Sequence, residues 1–126
     1  MSGILFEIKE NVGFITLNRP QVFNSFNRAM ALAMQDALDE CKSNEIRAVR
    51  IMGEGKAFCA GQDLQEVTDP NGPSLTTIIK EHYNPIIERI RNLEKPVVAA
   101  VNGVAAGAGA NIALACDIVV LSESAS

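Results

Sequence analysis

"VNGVAAGAGANIALACD", residues 101–117, decides the fold. Glycine and alanine crowd the stretch, and bulky side chains are nearly absent between Gly103 and Ala110. An apolar helical pattern then starts at Ile112, and Asp117 reads as a terminator before the next apolar run. "KPVVAAVNG" upstream reads as a buried strand, and "IVVLSE" downstream as another. The order is therefore strand, bare turn, short helix, strand. A backbone this bare has two readings: close packing, or approach of a ligand to the main chain.

Nucleotide-binding turns fail on spacing. A dinucleotide fingerprint needs G-x-G-x-x-G/A between strand and helix. Gly107 and Gly109 supply the first two positions, but Ile112 occupies the third, where bulk hinders helix–strand packing. A phosphate loop needs Lys followed by Ser or Thr after its last glycine, and neither is present. What remains is a helix N-terminus near Ala108–Asn111. Amides of such a first turn lack intrahelical acceptors, and the helix dipole adds partial positive charge. That suits a developing oxyanion. A second small-residue turn, "GKAFCAGQDL" (55–64), places Gly61 before Gln62 and Asp63. Two such turns at the ends of neighbouring parallel strands can each offer one amide to the same oxygen.

The rest of the chain fits an α/β architecture. "ILFEIKE" and "GFITLN", separated by "NVG", read as a β-hairpin. "NSFNRAMALAMQDALDECKSN" is an amphipathic helix with Ser25 or Asn27 as its cap. "IRAVRIMG" is a strand, and "DPNGPS" (69–74) a turn-rich break. "LTTIIKEHYNPIIERIRNLE" is a helix whose apolar side runs from Leu75 to Leu93, with Pro85 expected to kink or interrupt it. Alternating strands and helices imply parallel pairing. The final strand has no helix after it to cover it, which looks like an interruption.

Composition narrows the function classes. Net charge is −4 across 126 residues, without a basic block, which argues against nucleic acid as a partner. Cys41, Cys59 and Cys116 lie far apart, with no metal-ligand spacing. No window has transmembrane length, and "MSGILFEIKENVG" lacks signal-peptide character. A cytoplasmic protein with no membrane partner and no bound metal is the expectation. His82, beside Tyr83, reads as a surface or partly buried residue with no nucleophile to serve. Cys59 reads as a packed small apolar residue. Asp63 reads as an ion-pair partner or as the cap of a helix starting at Leu64.

"LNRPQVFNSFN", "GKAFCAGQDL" and "KPVVAAVNGVAAGAGANIALACD", in this order and spacing, resemble three N-terminal signatures of the crotonase superfamily, the enoyl-CoA hydratase/isomerase family. The resemblance covers essentially the whole chain. It implies that residues 1–126 are the N-terminal half of the crotonase (ClpP-like) spiral of ββα units. The remaining turns and the C-terminal helical segment that supports a homotrimer, or a dimer of trimers, would lie outside it.

The resemblance also implies roles. The thioester carbonyl of an acyl-CoA would sit between the main-chain amides of Gln62 and Ala108. Coenzyme A would enter as part of the substrate, with no separate cofactor. Gln21, Val22 and Phe23 would border the CoA, although Phe23 reads equally as a core residue. The Ala60 carbonyl would receive the adenine amino group, and Gln62, Asp63, Leu64 and Gln65 would line the entrance. Hydratases of the family carry a glutamate at the position of Asn111, which cannot be a carboxylate base. "GVAAGAGA" followed by a non-acidic residue resembles the ring-1,2-epoxyphenylacetyl-CoA isomerases of phenylacetate catabolism. An enoyl-CoA hydratase of fatty-acid β-oxidation and a non-catalytic thioester-binding module are the alternatives.

Overall fold

The computed structural model describes residues 3–123. β1 (Ile4–Lys9) and β2 (Val12–Leu17) form the expected hairpin, in register from Ile4↔Leu17 to Lys9↔Val12. The turn lies earlier than the "NVG" reading placed it. Glu10 and Asn11 take it, at φ 51° and 68°, which gives the two left-handed residues that a right-twisted hairpin needs. Val12 and Gly13 belong to β2. The Asn11 side chain donates to the Glu45 carbonyl at 2.9 Å and ties the turn to the next connection.

α1 (Arg28–Glu40) begins at Asn27, whose side-chain oxygen accepts from the Met30 N–H at 2.9 Å. This settles the cap in favour of Asn27 over Ser25. β3 (Ala48–Gly53), β5 (Val97–Val101) and β7 (Ile118–Leu121) complete a sheet of order β1-β2-β3-β5-β7. Every pair after the hairpin is parallel. One face carries the register Ile15↔Ile51↔Ala99. Met30, Met34 and Leu38 of α1 join the same fully buried cluster. Each such large side chain removed from water contributes about 1.5–3 kcal/mol before entropy is charged against it. Arg50 lies on the other face, its guanidinium 4.6 Å from the Phe14 ring centre. β7 is an edge strand exposed along its whole length.

The second helical region is continuous but not uniform. α3 (Leu75–Thr77) starts at Ser74, whose hydroxyl caps the Thr77 N–H. A π-helical stretch (Ile78–Tyr83) follows and leads into α4 (Asn84–Asn92). Pro85 explains the wider turn. It has no N–H to donate and its ring crowds the preceding turn, so the helix widens rather than breaks. The Asn84 N–H reaches back five residues, to the Ile79 carbonyl. The carbonyls of Glu81 and His82 are met from α1 instead, by Gln35 Nε2 at 2.7 and 3.2 Å. The apolar stripe read from the sequence is divided. Ile78, Ile86 and Ile90 are buried in the interior, whereas Leu75 and Ile79 are exposed to a cavity.

A small second sheet positions the site. β4 (Ala57–Cys59) and β6 (Val104–Ala105) pair in parallel, Ala57 opposite Val104 and Cys59 opposite Ala105. α2 (Leu64–Thr68) follows β4, and α5 (Ala108–Ala115) follows β6.

Candidate active site

The close-packing reading of the bare stretch is correct at two glycines. A Cβ on Gly103 would lie 1.9 Å from the Lys56 carbonyl oxygen. One on Gly109 would lie 2.3 Å from the Cys59 carbonyl oxygen. Backbone therefore touches backbone where β6 and α5 cross β4. The turn glycines behave differently. Gly107 has φ 54° and ψ −124°, a conformation nearly closed to residues with a Cβ, yet a Cβ there would meet nothing within 4 Å. Gly61 has φ 111°, and a Cβ there would stand 3.1 Å from the Ala106 oxygen and 3.7 Å from the Ala108 nitrogen. The two turns abut.

Their hydrogen bonds leave two donors over. After β4, the Ala106 N–H donates to the Cys59 carbonyl at 3.0 Å. On the other side, Phe26 bridges the first turn: its N–H donates to the Gly61 carbonyl at 2.7 Å, and its carbonyl accepts from the Asp63 N–H at 2.8 Å. At the helix start, the Gly109 N–H donates to Ala106 and the Asn111 N–H to Gly107. Among the described residues, no acceptor engages the N–H of Gln62 or of Ala108. Ala108 is the first residue of α5, where such an orphan donor and the positive end of the helix dipole coincide.

Two cavities meet at Gln62. One, of about 460 Å³, is walled by Leu75, Ile79, Tyr83, Ile87, Ala108 and Asn111, among others. Its described walls carry no acidic or basic side chain. The other, of about 450 Å³, is bordered by Gln21, Val22, Phe23, Ser25, Ala60, Asp63, Leu64 and Gln65. Every residue assigned from the sequence to the CoA side thus borders one cleft, apart from Ala108, which lies with Asn111 on the other. Phe23 is 58% exposed in a left-handed conformation at φ 54°, which excludes its core reading. Leu64 is 74% exposed at the same rim.

Arg19 and Asp63 hold the cleft walls together. Arg19 Nη1 donates to the Ser25 carbonyl at 2.7 Å, and Nη2 pairs with Asp63 Oδ2 at 3.1 Å. Asp63 Oδ1 also caps α2 through the Gln65 N–H at 2.9 Å, so both roles read from the sequence are present. The Ala60 N–H donates to the Phe23 carbonyl at 2.9 Å, which draws the two loops together.

Three further titratable groups, Cys59, His82 and Tyr83, stand in or behind these walls. Cys59 is fully buried, and burial pushes its thiol up to about 11, so at neutral pH it is not a thiolate nucleophile. His82 departs from its sequence reading: it is completely buried, because the π-helical turn rolls it towards α1. Burial lowers its pKa, and Arg28 adds to that, while Glu66 and Glu81 oppose it. Burial, reinforced by Cys59, Glu66 and Asp63, raises the Tyr83 phenol well above its usual range and keeps the hydroxyl protonated. Tyr83 is the site residue that sequence reasoning passed over. Its only signal was its place on the helical stripe, one residue from His82.

Known proteins match this arrangement. A family described as enoyl-CoA hydratase/isomerase matches residues 7–126. A Rhodobacter capsulatus protein named "Probable enoyl-CoA hydratase" is 46% identical over 122 residues, covering 97% of this chain and 47% of its own. The 1,2-epoxyphenylacetyl-CoA isomerase of Escherichia coli is 44% identical over 129 residues, covering 99% of this chain and 49% of its own. The crystal structure of an enoyl-CoA hydratase from Mycobacterium avium subsp. paratuberculosis superposes with a TM-score of 0.88 at 35% identity, covering 99% of this chain and 49% of that one. The chain spans about half the length of the curated relatives it matches. With the fold, the two turns and these matches together, the chain belongs to the enoyl-CoA hydratase/isomerase family.

Proposed function

We propose that the whole protein processes an acyl-CoA thioester by holding its carbonyl oxygen between the N–H groups of Gln62 and Ala108. The observation that carries this reading is that both donors lack an acceptor among the described residues while standing on abutting turns where the two cavities meet. Negative charge gathers on that oxygen when a proton is lost beside the thioester, and two aimed N–H groups stabilise the enolate more than the ground-state carbonyl. The cleft at Gln21, Phe23, Ala60 and Leu64 would take the CoA portion, and the apolar cavity the acyl group. Coenzyme A then enters with the substrate, and no further cofactor is needed. A homotrimer, or a dimer of trimers, is the expected assembly of the whole protein.

Within the family, we favour an isomerase acting on ring-1,2-epoxyphenylacetyl-CoA. Asn111, exposed on the first turn of α5 and bordering the apolar cavity, stands where a hydratase would carry a carboxylate. An uncharged wall of Leu, Ile and Tyr suits an apolar ring. The 46% identity to the protein named as a hydratase supports the hydratase alternative. Assay of the full-length protein with crotonyl-CoA and with the ring epoxide thioester separates the two. Hydration at about 10–1000 per second without isomerisation would overturn the isomerase reading.

A further inference from the structure

Gln62 enters the site by its N–H, yet its side chain is held at both ends. Its Oε1 accepts from the Tyr83 hydroxyl. Its Nε2 donates to Glu66 Oε1 at 3.0 Å and more weakly to the Asp63 carbonyl at 3.3 Å. The second oxygen of Glu66 accepts the main-chain N–H of Arg28 at 2.8 Å, beside the cap of α1. The series runs in one direction, phenol to amide to carboxylate, and each donor polarises the next. Its two ends rest on rigid supports. The Tyr83 ring stands edge-on to the fully buried Phe26, 6.0 Å between centroids, and Phe26 is the residue whose main chain brackets Gln62.

Behind the carboxylate is His82. A guanidinium only donates, so the contact of 3.3 Å between Arg28 Nη1 and His82 Nε2 makes Nε2 the acceptor and leaves the neutral ring's proton on Nδ1. That nitrogen is buried, faces Glu66 Oε1 at 3.9 Å, and has no hydrogen-bond partner among the described residues. The distance is too long for a bond. Glu66 is therefore held chiefly by Gln62 and by Arg28.

We propose that Tyr83 and Glu66 are positioning residues for the oxyanion donor at Gln62. They clamp its side chain from opposite ends, and so fix the direction of the N–H on the same residue. The proposal rests on the oxyanion reading above. The Tyr83 hydroxyl is engaged by Gln62, so the cavity receives the ring and not a free phenol.

The test is Tyr83→Phe, Glu66→Ala and the double variant in the full-length enzyme, with steady-state kinetics on its acyl-CoA substrate and thermal melting. Tyr83→Phe keeps the ring and removes one hydrogen bond. The expected result is a fall in kcat of about tenfold, KM within about twofold, and a melting temperature lowered by no more than about 2–4 °C, well short of unfolding at assay temperature. The double variant should be no slower than the slower single one, since both act through one side chain. Gln62→Met, which keeps the N–H and severs both contacts, should show the same kcat loss and serves if Glu66→Ala does not fold. A Tyr83→Phe enzyme with native kcat, or multiplicative effects in the double variant, overturns the proposal. Ala108→Pro is run beside them. If it too turns over normally, the oxyanion reading has failed. If it is dead while Tyr83→Phe is native, only the positioning role has failed.

Discussion

Gly109→Ala is a one-carbon perturbation with a calculable consequence. The new Cβ would sit 2.3 Å from the Cys59 oxygen, 2.8 Å from its Cβ and 2.9 Å from its carbonyl carbon. Ordinary contact starts near 3.4 Å, so α5 must retreat from β4 by about 1 Å. The obstacle is backbone within a paired strand and cannot rotate away. Overpacking of this kind costs about 1–3 kcal/mol. In a protein of roughly twice this length, each kcal/mol lowers the melting temperature by about 2–4 °C, so the expected drop is about 2–12 °C. The same retreat carries the Ala108 N–H with it, and a 1 Å misplacement can cost about 10²-fold in rate. Gly107→Ala is the matched comparison. It meets no atom within 4 Å but must hold φ 54° and ψ −124°, so it reports backbone strain alone, about 1–3 kcal/mol. Calorimetry and steady-state kinetics of both variants in the full-length protein check the reasoning. A Gly109→Ala enzyme with native melting temperature and native kcat would refute it.

Ala108→Pro should fold, because residue 108 opens α5, where proline is tolerated. It should lose about 10²–10³ in kcat while still binding a non-reactive acyl-CoA, as measured by calorimetric titration. Asp63→Ala should destabilise by about 1–2 kcal/mol in urea denaturation, since the α2 cap and the Arg19 pair go together; Asp63→Asn, which keeps a capping oxygen, should lose less. Burial depresses the His82 pKa below its ordinary 6.5. Above about pH 6.5 folded and unfolded chains both hold it neutral; as pH falls from there through the folded pKa, the unfolded chain binds the proton more readily and stability is lost. That slope should be missing in His82→Gln when denaturation midpoints are compared across pH. The 126-residue chain assayed by itself should show no turnover, because the described wall of its apolar cavity offers no acid or base for proton transfer; activity in a preparation that mass spectrometry shows free of other fragments would contradict this.

The hairpin, β3 and α1 were legible because each writes its period over six residues or more. Met30, Met34 and Leu38 announce a helix face, and Ile15 and Leu17 a strand face. β4 and β6 left no such trace. Strands of three and two residues complete no alternation, and "GKAFC" therefore reads as loop. The two glycine-bearing turns were legible as a pair, and the family resemblance pointed to Gln62 and Ala108 within them, but the bond from Tyr83 to Gln62 spans 21 positions and belongs to tertiary packing. The same holds for Gln35, an ordinary polar residue in the sequence, which meets the two carbonyls around the π-helical turn. Proline announces a disturbance in a helix; which distant side chain absorbs it is decided in three dimensions. His82 was misread for a related reason, since a wider helical turn rotates every residue on it away from the face that a 3.6-residue period assigns.

The exposed edge at β7 has a colloidal consequence. Ile118, Val119, Val120 and Leu121 are 51%, 38%, 53% and 66% exposed, and no described strand pairs with their outer side. A short β-branched run with open main-chain donors and acceptors, and no charge within it, is a template for strand addition. Purified by itself, the 126-residue chain carries a nucleus for self-association on the rim of its sheet. Its self-association would then rise with concentration, and Val120→Lys would act as a solubilising substitution without touching either turn of the site.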